Sequence, residues 1–306
     1  MTASTIALIL EASATPKPGN VHKYHSYEDM GLEHFIAASP ASTWCFRKLL
    51  LAALNSALRN EICVPGIGEA ILCSVRASKK WHRGGNVNLG TSTIFSIMLP
   101  SILFSNIMEK SFSVRKVCFY AKEIVSKTTV NDAVNYYKAI RIASPRYLGR
   151  VANAPIPDVF DERFEEKIRK GNITLYHVLE YASKEDVVSR TCVNGLKEAI
   201  EGYNYLGKYF EKYNDVNMSI VLTYVKLLSL YDDFLVLRKH GKHVSEYVKR
   251  RASEIINAIE ANVEKGFNLL KQFDNELFER KINPGSIADI TAASIALALF
   301  TGVIKI

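Results

Sequence analysis

The chain is 306 residues long, 48% apolar and 23% charged, with a mean hydropathy of +0.01, a balance that excludes a disordered chain and supplies a sizeable core. Its 39 basic and 31 acidic residues give a formal charge of +8, which favours anionic partners: phosphorylated small molecules, nucleic acid or a membrane surface. Five cysteines, at 45, 63, 73, 118 and 192, are an odd set with no C-x-x-C spacing, so neither a disulfide framework nor a zinc knuckle is expected, and a reducing cytoplasm fits.

In chain order, apolar residues recur at helical rather than strand spacing. The pattern predicts helices over 3–14, 41–59, 67–83, 90–107, 113–126, 130–143, 174–182, 185–213, 216–238, 243–273 and 286–304. Met1–Leu10 has no basic start and reaches Glu11 before any long apolar run, so no signal peptide is expected. The uncharged stretch 84–108 is interrupted by Asn86, Asn88, Thr91, Ser92, Ser96 and Pro100, and its apolar part falls short of the roughly 18–20 residues that a membrane span needs. It and the closing run Ile290–Ile304 are expected as buried central helices. Irregular segments are expected at Thr15–Gly31, with Pro16 and Pro18, and at Ser144–Asn172, with Pro145, Pro155 and Pro157. The expected fold is all-α, a single multi-helix domain over residues 1–306, with no internal repeat.

Four short segments carry candidate chemistry. In the first, a helix must end before Pro16 and the chain runs on through Lys17 to Gly19. The amides of Gly19 and Asn20, with Lys17, His22 and Lys23, suit an anionic oxygen array, and Glu11 adds a carboxylate at the helix end. The second, Gly84 to Thr91, is a glycine-rich turn entering an apolar helix, whose free N–H groups suit a phosphate. It matches neither a P-loop nor G-x-G-x-x-G, and Asn88 or Thr91 as a plain helix cap is an equal reading. The third places Asp186, Arg190 and Asn194 four apart on one helical face, also the pattern of a surface ion pair. The fourth, Asn283 to Asp289, opens the last helix with Pro284 near its first turn and Asp289 as a carboxylate in an apolar helix. Such a carboxylate complements the helix dipole or has its pKa raised by burial.

These segments, in this order, resemble the triphosphoribosyl-dephospho-CoA synthase family, and the chain looks closest to its divergent, archaeal-type branch. The matching stretches are T-P-K-P-G-N-V-H with Asp29-Met30, G-N-V-N-L-G at 85–90, D-V-V-S-R at 186–190 and N-P-G-S-I-A-D-I-T-A-A at 283–293. The resemblance departs from the bacterial pattern where Leu89, Gly90 and Thr91 stand in place of T-H-K.

The resemblance implies an all-α transferase that moves the 5-triphosphoribosyl group of ATP to a ribose hydroxyl of 3′-dephospho-CoA and releases adenine, with Mg²⁺ expected. Such chemistry needs a carboxylate near the incoming hydroxyl and cationic or amide groups around the triphosphate. Asp289 is expected as the base, Asp186 on the metal or phosphate side beside Arg190, and Glu11 as the next catalytic candidate; the metal ligands are left open. Substrate contacts are expected from Lys17, Gly19, Asn20, His22, Asp29, Gly85, Asn86, Asn88, Arg190, Asn283 and Ser286, with all four segments meeting at one pocket. No membrane or nucleic-acid partner is expected. The alternatives are a related nucleotide or phosphoribosyl enzyme with another acceptor and a non-catalytic basic helical binding protein.

Overall fold

A computed structural model of the chain describes residues 1–109, 112–143 and 154–306. Among the described residues the regular elements are fifteen α-helices, with two isolated antiparallel bridges, His22 with His25 and Tyr27 with Met30. The fold is all-α, as the periodicity predicts. Contacts gather into two compact units: one holds Met1 and residues 37–197, the other residues 2–36 and 198–306.

The first unit contains α2 (Leu32–Trp44) from Ala37 onward, α3 (Phe46–Leu58), α4 (Ile67–Trp81), α5 (Leu89–Met108), α6 (Val114–Ser126), α7 (Val130–Ala143), α8 (Phe164–Lys170), α9 (Leu175–Ala182) and α10 (Val187–Val193). Helix α5 is the centre, packed by α3, α4, α6 and α10. At 20 residues it is long and apolar enough to cross a membrane by length and composition, more than the interrupted sequence suggested, yet fifteen of its residues are buried inside this unit. Helices α4 and α7 cross closely at Gly68, whose amide donates to Asp132 Oδ1 (2.8 Å).

The second unit holds α1 (Thr2–Ser13), the irregular segment after it, α11 (Lys197–Tyr213) from Glu198 onward, α12 (Val216–Leu230), α13 (Phe234–Ala261), α14 (Val263–Glu279) and α15 (Gly285–Thr301). Here α15 is the buried helix, against α1, α12 and α13.

Five predicted spans change, each for a local reason. The helix expected at 41–59 begins earlier and breaks at Cys45, which is disulfide-bonded to Cys73 of α4. The expectation of free thiols therefore fails for this pair; Cys63, Cys118 and Cys192 are free. In the stretch expected to be irregular, 144–153 lie outside the described residues, and the remainder contains α8, closed by an Arg169–Glu165 pair one turn apart (2.8 Å). The 185–213 helix breaks at Gly195 and Leu196, both at positive φ (85° and 66°). The 216–238 helix ends at Leu230, because Asp233 caps a new one by accepting the amides of Leu235 and Val236 (2.8 and 3.1 Å). The 243–273 helix restarts at Asn262, whose side chain accepts the Lys265 amide (2.9 Å). Gly241, which lies between the helices expected at 216–238 and 243–273, interrupts α13 at φ 81°, ψ 173°, a conformation open to glycine.

Candidate active site

In the second unit the chain leaves α1 through a cis Thr15–Pro16 bond. Thr15 is clamped by Asn217, whose Oδ1 accepts the Thr15 amide (3.0 Å) while its Nδ2 donates to the Thr15 carbonyl (2.7 Å). Lys17, Pro18, Gly19 and Asn20 then form a tight turn, closed by the Asn20 amide donating to the Lys17 carbonyl (3.0 Å). Pro at the second and Gly at the third position, with Gly19 at φ 67°, fit a type II turn. No other residue fits there: a Cβ on Gly19 would lie 2.2 Å from the Ile282 carbonyl oxygen.

Two predicted site residues of this segment turn toward each other. Lys17 is fully buried and donates to the Glu11 carboxylate and to the Glu11 carbonyl (2.6 Å). Burial pushes the Glu11 carboxyl up and the Lys17 ammonium down, each opposed by the partner's charge. The pair ties the end of α1 to the turn.

Asp274 of α14 was not found by sequence reasoning, and it organises the rest of the segment. It accepts the Gly19 amide (3.1 Å) and contacts His22 Nε2 (2.9 Å) and His25 Nδ1 (3.2 Å). His25 stacks on Phe278 with ring centroids 4.1 Å apart, and Tyr27 donates its hydroxyl to the Gly19 carbonyl (2.5 Å). The donor atoms of His22, His25 and Asp274 all lie within 4.8 Å of one another, close enough to be considered for a metal ion. The hydrogen bonding argues otherwise. Tyr24 donates its amide to His22 Nδ1 (3.2 Å), so Nδ1 accepts and Nε2 carries the proton it gives to Asp274. A metal on Nε2 would require that proton on Nδ1, against the Tyr24 N–H. Two nitrogens in three donors also suit Mg²⁺ poorly, since it takes oxygen ligands. The trio is a hydrogen-bonded hub that fixes the turn.

The fourth segment meets the first inside this unit. Asn20 Nδ2 donates to Asn283 Oδ1 (3.1 Å), and the buried hydroxyl of Tyr224 on α12 reaches the carbonyls of Pro18 (3.0 Å) and Pro284 (3.4 Å). Burial and the nearby carboxylates hold the Tyr224 phenol well above its ordinary pKa, so it stays a donor. Ser286 is buried in the first turn of α15, Asn283 and Asp289 are half-buried, and Asp29 is half-buried in the Tyr27–Met30 turn. The fully buried carboxylate at the start of α15 is Asp233, a second residue that sequence reasoning missed. Besides capping α13 it accepts the Ile287 amide (2.9 Å). Burial pushes its carboxyl up to about 7, against amide donors that favour the charge.

The second and third segments belong to the first unit. The Gly84–Asn88 turn is stapled to the end of α4: Lys79 donates to the carbonyls of Gly84 (2.7 Å) and Gly85 (3.1 Å), and His82 Nδ1 accepts the Gly84 amide (3.1 Å). Lys79, His82, Gly85, Asn86 and Asn88 line a water-sized pocket of about 10 Å³. Asn88 is the residue before α5, but its Nδ2 goes to Ser42 Oγ (3.4 Å), and Asn86 Oδ1 takes the Leu89 amide (3.2 Å). Asp186 and Asn194 cap the two ends of the seven-residue α10 rather than sharing a face of a long helix. The Asp186 oxygens accept the amides of Val188 (3.0 Å) and Ser189 (3.1 Å) and the Ser189 hydroxyl (2.5 Å); burial raises its carboxyl in spite of these donors and, last, the charge of Arg190.

The chain has known counterparts. Residues 1–305 match the sequence profile of the CitG family, described as ATP:dephospho-CoA triphosphoribosyl transferase. The chain is similar to 2-(5″-triphosphoribosyl)-3′-dephosphocoenzyme-A synthases from Escherichia fergusonii (22% identity) and Klebsiella pneumoniae (27%), in each case over 96% of this chain and 88% of the relative. A crystal structure from Archaeoglobus fulgidus with the provisional name triphosphoribosyl-dephospho-CoA synthase aligns with a TM-score of 0.63 at 26% identity, over 87% of this chain and 97% of that one.

Proposed function

The chain belongs to the ATP:dephospho-CoA triphosphoribosyl transferase family, a family of enzymes, and from that premise we propose that it transfers the 5-triphosphoribosyl group of ATP to a ribose hydroxyl of 3′-dephospho-CoA as one catalytic domain. In that reaction the bond between ribose C1′ and the adenine nitrogen breaks, a bond from C1′ to the acceptor oxygen forms, the acceptor hydroxyl gives its proton to a base, and adenine leaves carrying a proton. The observation that carries this reading is the meeting of two distant segments, T-P-K-P-G-N-V-H and N-P-G-S, through Asn20 and Asn283 and through Tyr224.

We assign Asp289, half-buried on α15, as the base, and Asn20, His22, Asn283 and Ser286 with the Gly19 amide to substrate contact. Lys17 and Glu11 act through the fold of the turn, because each already holds the other. Gly85, Asn86, Asn88, Asp186 and Arg190 remain assigned to the phosphate and metal side, and Asp29 to substrate. Mg²⁺ would arrive largely held by triphosphate oxygens, with only one or two protein carboxylates; it would neutralise phosphate charge. A cytoplasmic location is part of this proposal, and the Cys45–Cys73 disulfide is the feature that bears against it.

The test is chromatographic detection of adenine from ATP, with and without dephospho-CoA. Adenine release dependent on dephospho-CoA is expected, and Asp289→Asn should lower the rate by about 10²-fold or more while the fold survives. Release that depends on a different phosphorylated acceptor would move the chain to the alternative transferase reading; binding of ATP with no release under any acceptor would make it a binding protein.

A further inference from the structure

Asp233 performs a task that a simple helix cap does not. Every helix start leaves free N–H groups and a partial positive charge, and a side chain normally serves its own helix. Here one oxygen of the buried Asp233 carboxylate accepts the amides of Leu235 and Val236, at the start of α13, and the other accepts the amide of Ile287, at the start of α15 and 54 residues away in sequence. The amide of Ser286 also bonds it. The two helix starts touch as well: a Cβ on Gly285 would lie 2.7 Å from Leu235 Cδ1. Pro284, between Asn283 and α15, is held from its other side by Tyr224, which also holds Pro18. The Asn283–Ser286 turn is therefore fixed between two anchors, a phenol on one side and a carboxylate on the other.

We infer that Asp233 is a positioning residue of the transferase site, setting the orientation of Asn283 and Ser286 toward substrate by bridging the starts of α13 and α15. The inference rests on the substrate-binding role proposed above for those two residues. Asp233 itself touches no substrate in this scheme, because its oxygens are engaged by backbone amides and it is 2% exposed.

Two variants and one control test it. Asp233→Asn keeps size and removes charge, but whichever way its amide is turned the NH2 group faces backbone donors of one of the two helices. Asp233→Ser keeps an efficient cap on α13 and is too short to bridge, so it keeps the protein folded if the asparagine variant fails. Asp215→Ala removes a side-chain cap on α12, where Asp215 accepts the Met218 amide (2.7 Å), and so reports the effect of merely losing a cap. The expected result is that KM for ATP or dephospho-CoA rises about tenfold or more in the Asp233 variants, with a smaller change in kcat, whereas Asp215→Ala lowers the melting temperature and leaves both KM values unchanged. Folded Asp233→Ser with both KM values within about twofold of the parent protein would overturn the inference. If the parent protein releases no adenine, the functional reading fails separately. Hydrogen exchange at residues 283–288 then decides the bridging claim: faster exchange in Asp233→Ser supports it, and unchanged exchange overturns it.

Discussion

Glu11 and Lys17 show how much one buried pair constrains. Removing two charges from water costs several kcal/mol per ion, which their attraction offsets only with good hydrogen-bond geometry. Lys17 reaches both the carboxylate and the carbonyl of Glu11, so a single ammonium satisfies the side chain and adds a second donor to a last-turn carbonyl of α1 that also takes the Ala14 amide (3.3 Å). Lys17→Met strands a buried carboxylate and is expected to cost about 3–5 kcal/mol. The double variant Glu11→Gln with Lys17→Met removes both charges and should recover at least half of that loss. Denaturant titration of the four proteins in the cycle measures this. Equal stability of parent and Lys17→Met would mean that the ammonium does not hold the turn and is available to an anionic ligand instead.

Packing between helices sets a different kind of constraint, seen where α4 crosses α7. A Cβ on Gly68 would stand 2.2 Å from the Asp132 carbonyl oxygen and 2.5 Å from its Cα, and backbone cannot move aside as a side chain can. Gly68→Ala should therefore destabilise by roughly 3 kcal/mol despite alanine's better helix propensity. Gly207→Ala, on α11, meets only a Val303 methyl at 3.1 Å and is expected to be neutral or stabilising; paired thermal melts compare them. The periodicity of apolar residues made nearly every helix legible, including the break at Gly241, but not the breaks that depend on a side chain folding back onto the next amides. Asp233 and Asn262 sit inside continuous apolar periodicity, so the pattern runs through them. An Asp directly before the run Phe234–Leu237 is the signal that could have marked the first. The Lys17–Asn20 turn was legible because proline and glycine dictate backbone. Asp274 was not, since on an amphipathic helix it reads as a solvated face until the fold sets Gly19, His22 and His25 against it.

At the scale of the whole chain, the bond between Cys45 and Cys73 acts mainly on the unfolded state. Its effect comes from closing a loop across 28 positions, which in the chain-entropy account removes freedom worth about 3–4 kcal/mol. Cysteine number and spacing could not reveal it, because pairing depends on α2 ending where α4 passes, with Cα atoms 5.7 Å apart. It also bears on location, since disulfides in cytoplasmic proteins are rare outside hyperthermophiles. A peptide map of the unreduced protein is expected to show 45 linked to 73 while Cys63, Cys118 and Cys192 take up alkylating reagent after unfolding. Reduction, or the Cys45→Ser and Cys73→Ser double variant, should lower the melting temperature on the order of 10 °C. Adenine release at moderate temperature should persist, because α3, α4 and α5 keep their packing without the bond. Alkylation of all five thiols after unfolding without reductant, with no change in melting on reduction, would show that the two sulfurs lie adjacent but unbonded and that α3 and α4 are held by side-chain packing alone.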